Sequence, residues 1–225
     1  MKTREPSHQL ILQELDKVAS SAAIIKRRHL TYEKGQSAFD SVDTEEYFYF
    51  IMEGKIKISQ INLETGKEQT LYLLSRGDMF DVITLLDGNT HEYISHVLER
   101  CEVVEVPIAQ VRYLLEHDAD FKRFFFPYIA TQLRNMENLA VDLSLYDVYQ
   151  RIVRLFARFV DNAEGKPSLK LISNLSHEEL ASMVGSVRKV VNRSLQKLKK
   201  EGIIELSRQQ LQLKNLKKLL DKLDF

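Results

Sequence analysis

The segment from Ser176 to Asn215, SHEELASMVGSVRKVVNRSLQKLKKEGIIELSRQQLQLKN, leaves the chain few folds to choose from. Ser176 with Glu179 three residues on is a capping box, in which each side chain accepts from the other residue's backbone N–H. Leu180, Ala181 and Val184 give the helix so started an apolar face, and the small Ala181 lets a second helix cross closely. Gly185 stands where a tight turn between two helices takes a glycine. Ser186 is placed to cap the second helix, in which Val187, Val190, Val191, Leu195 and Leu198 are expected to face inward. GIIELS and QLQLKN, two short apolar runs about a polar turn, read as a β-hairpin, and NLKKLLDKL as a closing amphipathic helix. Together these elements describe a winged helix-turn-helix.

The charge falls on the second helix. From Val187 to Lys200 there are Arg188, Lys189, Arg193, Lys197, Lys199 and Lys200 and no acid, although the whole chain balances 32 Lys and Arg against 32 Asp and Glu. The balance is a cancellation, because residues 144–225 hold 16 Lys and Arg against 9 Asp and Glu and the remainder holds 16 against 23. Such asymmetry points to an acidic module joined to one that meets polyanions. A charge run alone is most often a solvated face. Here it coincides with the helix that a helix-turn-helix lays in the major groove, whose N-terminal residues meet base edges. Arg188, Lys189, Asn192 and Arg193 stand there, with Ser186 at the helix entrance. Arginine bonds guanine O6 and N7 in bidentate fashion and asparagine does the same for adenine N6 and N7. Lys197, Lys199 and Lys200 suit phosphates, which set register without reading sequence.

The rest of the chain reads differently. Residues 8–18 have the spacing of a short amphipathic helix. From Ile24 to Val106, alternating runs such as YFYFIMEGKIKISQI are separated by Gly35, Gly54, Gly66, Gly77 and Gly88, which predicts an antiparallel sandwich or barrel. PIAQVRYLLEHD restarts helix with Pro107 in its first turn. Asp118 is placed to cap a long helix reaching Leu143, with Pro127 expected to bend it. Within that helix Phe126, Ile129, Leu133, Met136, Ala140 and Leu143 recur at alternating spacings of three and four, the seam by which two helices interlock. Asp147 is a cap for VYQRIVRLFARFV, and the boundary before the DNA-facing part is set there. The reading is α+β, with a β-roll over residues 1–118, a dimerisation helix over 119–143 and a winged helix-turn-helix over 144–225. No run of about 18 apolar residues suggests a membrane span. The charged start MKTREPSHQLILQELDK lacks the apolar centre of a signal peptide, and the single cysteine, Cys101, rules out an internal disulfide, so a cytoplasmic protein is expected.

A β-roll, a seam helix and a winged helix-turn-helix in this order resemble the cyclic-AMP receptor protein/fumarate–nitrate regulator (Crp/Fnr) superfamily of bacterial transcription factors. GDMFDVITLLDG, YDVYQRIVRLF and LSHEELASMVGSVRKVVNRSLQKLKKEGII carry the resemblance most specifically. It implies a homodimer joined through the long helix, an effector bound in the β-roll, a roughly palindromic DNA site and contact with RNA polymerase. It also implies base reading by Arg188, Lys189, Asn192 and Arg193. The second of these positions is usually glutamate, which accepts from cytosine N4; Lys189 cannot, so the family's usual operator does not transfer.

The effector site departs further from the family. Cyclic-nucleotide binders carry a Gly–Glu pair for the ribose and an Arg followed by Ser or Thr for the phosphate; here those positions are Asp81–Val82 and His91–Glu92. Two carboxylates and a histidine cradle an anion poorly. Met136 and Glu137 occupy the long-helix positions that meet adenine in the receptor protein. Cyclic AMP is therefore not expected, and Met79, Ile83, Leu86, His91, Glu92 and Met136 are the candidate pocket residues for another effector. The carbon-monoxide sensor's haem ligands fall on Asp81 and Ile83. His91, His96 and Cys101 are suitable haem or metal ligands by chemistry, but strand alternation sets His96 on the face opposite the other two. No metal or other cofactor is expected. A metal-dependent oxygenase on a similar roll needs converging ligands, which the scattered His29, His91, His96 and His117 do not propose. The remaining alternative is a nucleotide- or haem-dependent sensor acting through protein partners.

Overall fold

The computed structural model describes residues 26–161, 167–207 and 210–223, so the helix expected over residues 8–18 lies outside it. In chain order the elements are β1 (Arg28–Tyr32), α1 (Asp43–Glu46), β2 (Tyr47–Asn62), β3 (Lys67–Ser75), β4 (Met79–Phe80), α2 (Val82–Asp87), β5 (Ile94–Pro107), α3 (Ile108–His117), α4 (Ala119–Leu145), α5 (Val148–Arg158), α6 (His177–Met183), α7 (Arg188–Lys200), β6 (Ile204–Ser207), β7 (Gln210–Leu213) and α8 (Leu216–Leu220). One compact unit runs to Ile61 and again over Leu71–Arg134, and the other joins Asn62–Thr70 to Asn135–Phe225.

In the first unit a five-stranded sheet has the order β1-β5-β2-β3, with β4 on β2. β5 pairs antiparallel with β1, from Arg28 opposite Glu105 to Tyr32 opposite Cys101, and with β2, from Tyr47 opposite Pro107 to Ser59 opposite Ile94. The run YFYFI looks uniformly apolar because both faces of the sheet are covered. Since successive strand residues point to opposite sides, Phe48 and Phe50 join Val104, Val106, the α3 residues Ile108, Val111 and Leu114, and Phe121 and Phe125 of α4. Tyr49 and Ile51 instead join Phe39, Phe80, Val97, Cys101 and Val103. Phe39 stacks on Tyr49 at 4.6 Å and on Phe80 at 5.0 Å, so the second cluster is built largely of aromatic rings. Each such fully buried apolar side chain stabilises the fold by about 1.5–3 kcal/mol.

Gly54 does not separate two strands, as its spacing suggested, but lies inside β2. Its φ is +88°, and a Cβ there would stand 2.2 Å from the Arg100 carbonyl oxygen and 2.5 Å from Cys101 Sγ. The β2–β5 register shifts between Ile51 and Ile56, so the glycine forms a β-bulge that lets one long strand bend across its partner.

In the second unit, Asp147 and Gln150 form a capping box at α5, and Ser176 and Glu179 form the expected one at α6. Ile152, Val153, Phe156, Leu180, Ala181, Val191, Leu195, Leu198, Ile203, Leu211 and Leu219 are buried. The hairpin β6–β7 pairs Ile204 with Leu213 through Ser207 with Gln210. Asn215 caps α8 by accepting from the Lys218 N–H. α4 begins after Asp118, whose carboxylate accepts from the Phe121 N–H at 2.8 Å, and runs two residues past Leu143.

The start of α7 corrects the sequence reading. Gly185 adopts φ +63°, and the Ser186 N–H donates to the Ala181 carbonyl at 2.9 Å, which closes α6 in a Schellman arrangement. Ser186 is taken up by that closure, so the N-cap of α7 passes to Val187, which offers no side-chain cap. Val187 is accordingly 60% exposed and Val190 half-buried, rather than facing inward.

Candidate nucleic-acid interface

The alternation of buried and exposed residues along α7 fixes what it presents. Val191, Ser194, Leu195 and Leu198 are buried, while Arg188, Lys189, Asn192, Arg193, Lys197, Lys199 and Lys200 are exposed. Two arginines, a lysine and an amide therefore stand along the first turn and a half, and the three later lysines continue the same polar side. Ser186 is half-buried in the turn that precedes them. Arg188 Nη1 lies 4.0 Å from a Glu178 carboxylate oxygen, an exposed pair that solvent screens. Lys197 Nζ sits 4.2 Å over the Tyr149 ring. The Tyr149 hydroxyl donates to Glu201 at 2.8 Å; burial and that carboxylate push the phenol's pKa up. A cleft of about 350 Å³ lies between the start of α6 and the hairpin, lined by Ser176, His177, Glu178, Arg188, Ser207 and Gln210 among others. A polyanion approaching α7 thus meets guanidinium and amide groups first, then ammonium groups.

On α4, Phe126 is 56% and Leu133 66% exposed, and Ala140 is also exposed; Met136 and Leu143 are half-buried. Ile129 packs partly against the core of its unit, and Leu143 lies against Gly185. The helix thus carries one apolar face committed to the core, through Phe121 and Phe125, and a second facing outward.

The candidate effector residues differ widely in exposure. Met79 is core, and its N–H and carbonyl are both bonded to the Tyr128 hydroxyl at 2.9 Å. Ile83 and Leu86 are exposed on α2 and do not fill core. Met136 belongs to the second unit. Glu92 is exposed and its carbonyl accepts from Gln60. His91 lies ahead of β5, not on it, so strand alternation does not govern its direction. Instead His91 Nε2 meets Asp81 Oδ2 at 2.7 Å, and Asp81, 2% exposed, also accepts from the Ile83 N–H and the Thr84 hydroxyl as the N-cap of α2. The pattern D-x-x-T made that cap legible in sequence; the histidine ten residues on was not.

His96 is exposed and Cys101 buried, as alternation requires. Burial pushes the Cys101 thiol up to about 11, and it donates to the Glu99 carbonyl. Among the described residues, no group of three or more His, Cys, Asp or Glu is placed to hold a metal.

Sequence reasoning also missed the joint behind the reading helix. Arg151 donates to the carbonyls of Tyr146, Leu143 and Val184 at 2.8, 3.0 and 3.1 Å, tying the end of α4 to the end of α6. Asp142, 3% exposed, receives Arg154 at 2.5 Å and Arg158 at 2.6 Å.

Residues 150–222 match the model of a Crp-like helix-turn-helix domain, and residues 29–118 match that of a cyclic nucleotide-binding domain. The chain is 27% identical over 186 residues to the global nitrogen regulator of Nostoc sp., spanning 80% of this chain and 82% of that one. It is 24% identical over 200 residues to the CRP-like cAMP-activated global transcriptional regulator of Mycobacterium tuberculosis, spanning 87% and 88%. Among solved structures, FixK2 from Bradyrhizobium japonicum superposes with a TM-score of 0.73 at 19% identity, covering 87% of this chain and 96% of that one. A CooA mutant from Carboxydothermus hydrogenoformans gives 0.73 at 21% identity, covering 91% and 93%.

Proposed function

Because the chain belongs to the Crp/Fnr superfamily of transcription regulators and carries its DNA-binding helix-turn-helix, we propose that it acts as a homodimer reading a roughly palindromic site. Two copies of α7 enter successive major grooves about 34 Å apart. Residues 1–118 serve as sensor, 119–143 as dimerisation helix and 144–225 as reading head. The observation that carries this reading is the exposure of Arg188, Lys189, Asn192 and Arg193 on one side of a helix whose other side is buried core. The outward seam of α4 supports self-association, and contact with RNA polymerase follows from the family.

Arg188 and Arg193 are assigned to bases and Lys199 to phosphate. On the duplex that the protein enriches from a randomised pool, Arg193→Ala is expected to cost about 1–3 kcal/mol and to relax discrimination at one base pair. Lys199→Ala should weaken all duplexes alike and lower the slope of log affinity against log salt by about one. Fluorescence anisotropy across salt concentrations measures both. Equal losses on every sequence from both variants would end this division of roles, and salt-independent binding would end the reading itself.

The sensor responds to something other than cyclic AMP or works without ligand. The reason is electrostatic. Where cyclic-nucleotide binders pair a phosphate, this chain sets His91 against the buried carboxylate of Asp81, and an anion there meets a like charge. Calorimetric titration with cyclic AMP is expected to give no saturable heat, and a saturable isotherm of one site per chain would refute the statement.

A further inference from the structure

Asn62–Thr70, the turn of the β2–β3 hairpin with its adjoining strand ends, belongs to the same compact unit as the helix-turn-helix. Thr70 and Ser182 are each 5% exposed, and their hydroxyl oxygens lie 2.8 Å apart, 112 residues distant in sequence. The direction of that bond follows from the neighbours. Ser182 has one hydroxyl proton and donates it to the Glu179 carbonyl at 2.9 Å, so Thr70 is the donor between the pair. Beside it, the Gln69 amide donates to the Thr70 carbonyl at 2.9 Å and reaches the Met183 carbonyl at 3.5 Å. Gly185 is pressed from two sides, since a Cβ there would stand 2.8 Å from Gln69 Oε1 and 2.5 Å from Leu143 Cδ2. Arg151 completes the arrangement by joining Val184 to Leu143.

We infer that the tip of the β2–β3 hairpin is a clasp that steadies α6 and the turn leading into α7, with Thr70 and Ser182 as its positioning residues. The clasp grips α6 and the turn after it and leaves the polar side of α7 uncovered, so it is compatible with DNA in the groove. A helix-turn-helix whose first helix and turn are held before binding loses less freedom when α7 docks, and affinity rises accordingly. The strands that carry the tip, β2 and β3, are neighbours in the five-stranded sheet. The inference rests on the DNA reading proposed above.

Thr70→Val removes the donor while keeping shape and strand propensity, and it leaves the Ser182 proton bonded to Glu179. Thr70→Val, Ser182→Ala and the double variant, all full length, are compared by hydrogen exchange without DNA and by anisotropy on the enriched duplex. In Thr70→Val, the peptide covering residues 176–186 should exchange about three- to tenfold faster, and duplex affinity should fall about three- to tenfold, the range one net hydrogen bond supplies. The salt slope should be unchanged, and the double variant should bind no worse than the weaker single one. Faster exchange with unaltered affinity reduces the contact to a structural fastening and overturns the positioning role. Tighter binding makes it a brake and overturns the role equally, as do additive losses in the double variant. If the parent protein binds no duplex, the proposed function fails and the positioning role with it, while the exchange result still reports whether the clasp exists.

Discussion

Phe126→Glu combined with Leu133→Glu is expected to convert the proposed dimer to a monomer and to weaken binding of the enriched duplex by more than about 100-fold. Both side chains are more than half exposed within the protomer, so the substitutions remove little of its own core. Against a second copy of α4 each forfeits about 1.5–3 kcal/mol of burial per chain. Each also brings a carboxylate into an apolar seam, where it is left unpaired. DNA affinity falls because two heads on one dimer bind as a single event. The second docks at the effective concentration set by the first, and a monomer loses that advantage of about 10²–10⁴. Sedimentation velocity and anisotropy read the two effects separately, with far-UV circular dichroism to verify the fold. A dimer that survives both substitutions moves the interface off this seam. A monomer that binds as tightly as the parent removes the need for paired heads.

Asp142→Ala should lower stability by about 2–4 kcal/mol. A carboxylate lost from between two guanidinium groups leaves them facing each other, and removing one partner of a buried pair costs about 3–5 kcal/mol. The lower range applies because Arg154 and Arg158 keep 25% and 30% of their side-chain surface in water, which screens the repulsion. The loss falls on the joint between α4 and α5, so the reading head should loosen there first. Urea unfolding followed by circular dichroism is expected to show a midpoint lowered by about 1 M. Asp142→Asn should be milder, since the amide oxygen still accepts one of the two bonds. If the alanine variant unfolds at the parent's midpoint, the two ion pairs contribute nothing net and the joint is held by packing alone.

These two predictions differ in how far they were legible beforehand. The seam came from spacing alone, with Phe126, Leu133 and Ala140 exposed in the structure, Ile129 drawn partly into its own core and Leu143 set against Gly185. Asp142 lies on the same helix, two residues past Ala140, and nothing in its neighbourhood in sequence marks it out from other exposed helical acids. Its partners are 12 and 16 residues away, on a helix whose crossing angle spacing does not specify. The start of α7 shows a subtler failure. Ser186 was a reasonable cap by residue type, but the preceding glycine bends the chain so that its backbone closes α6 instead, and the helix begins one residue later. At the candidate effector site, Asp81 could be read as a cap for α2, whereas its pairing with His91 required the chain to fold back over α2 and place the two side chains 2.7 Å apart.

The sequence by itself determined what depends on neighbours within a few residues: the capping boxes at Asp147 and Ser176, the turn glycine, the alternating strands, the seam, and the basic outward side of α7. Such signals survive in one dimension because helix and strand periods are short and a cap reaches only three residues. The tertiary structure alone decided the Asp81–His91 pair, the Asp142 joint, the bulge at Gly54 and the meeting of Thr70 with Ser182. A hydroxyl or a carboxylate has many chemically equivalent partners along the chain, and only the packing of elements far apart in sequence selects one of them.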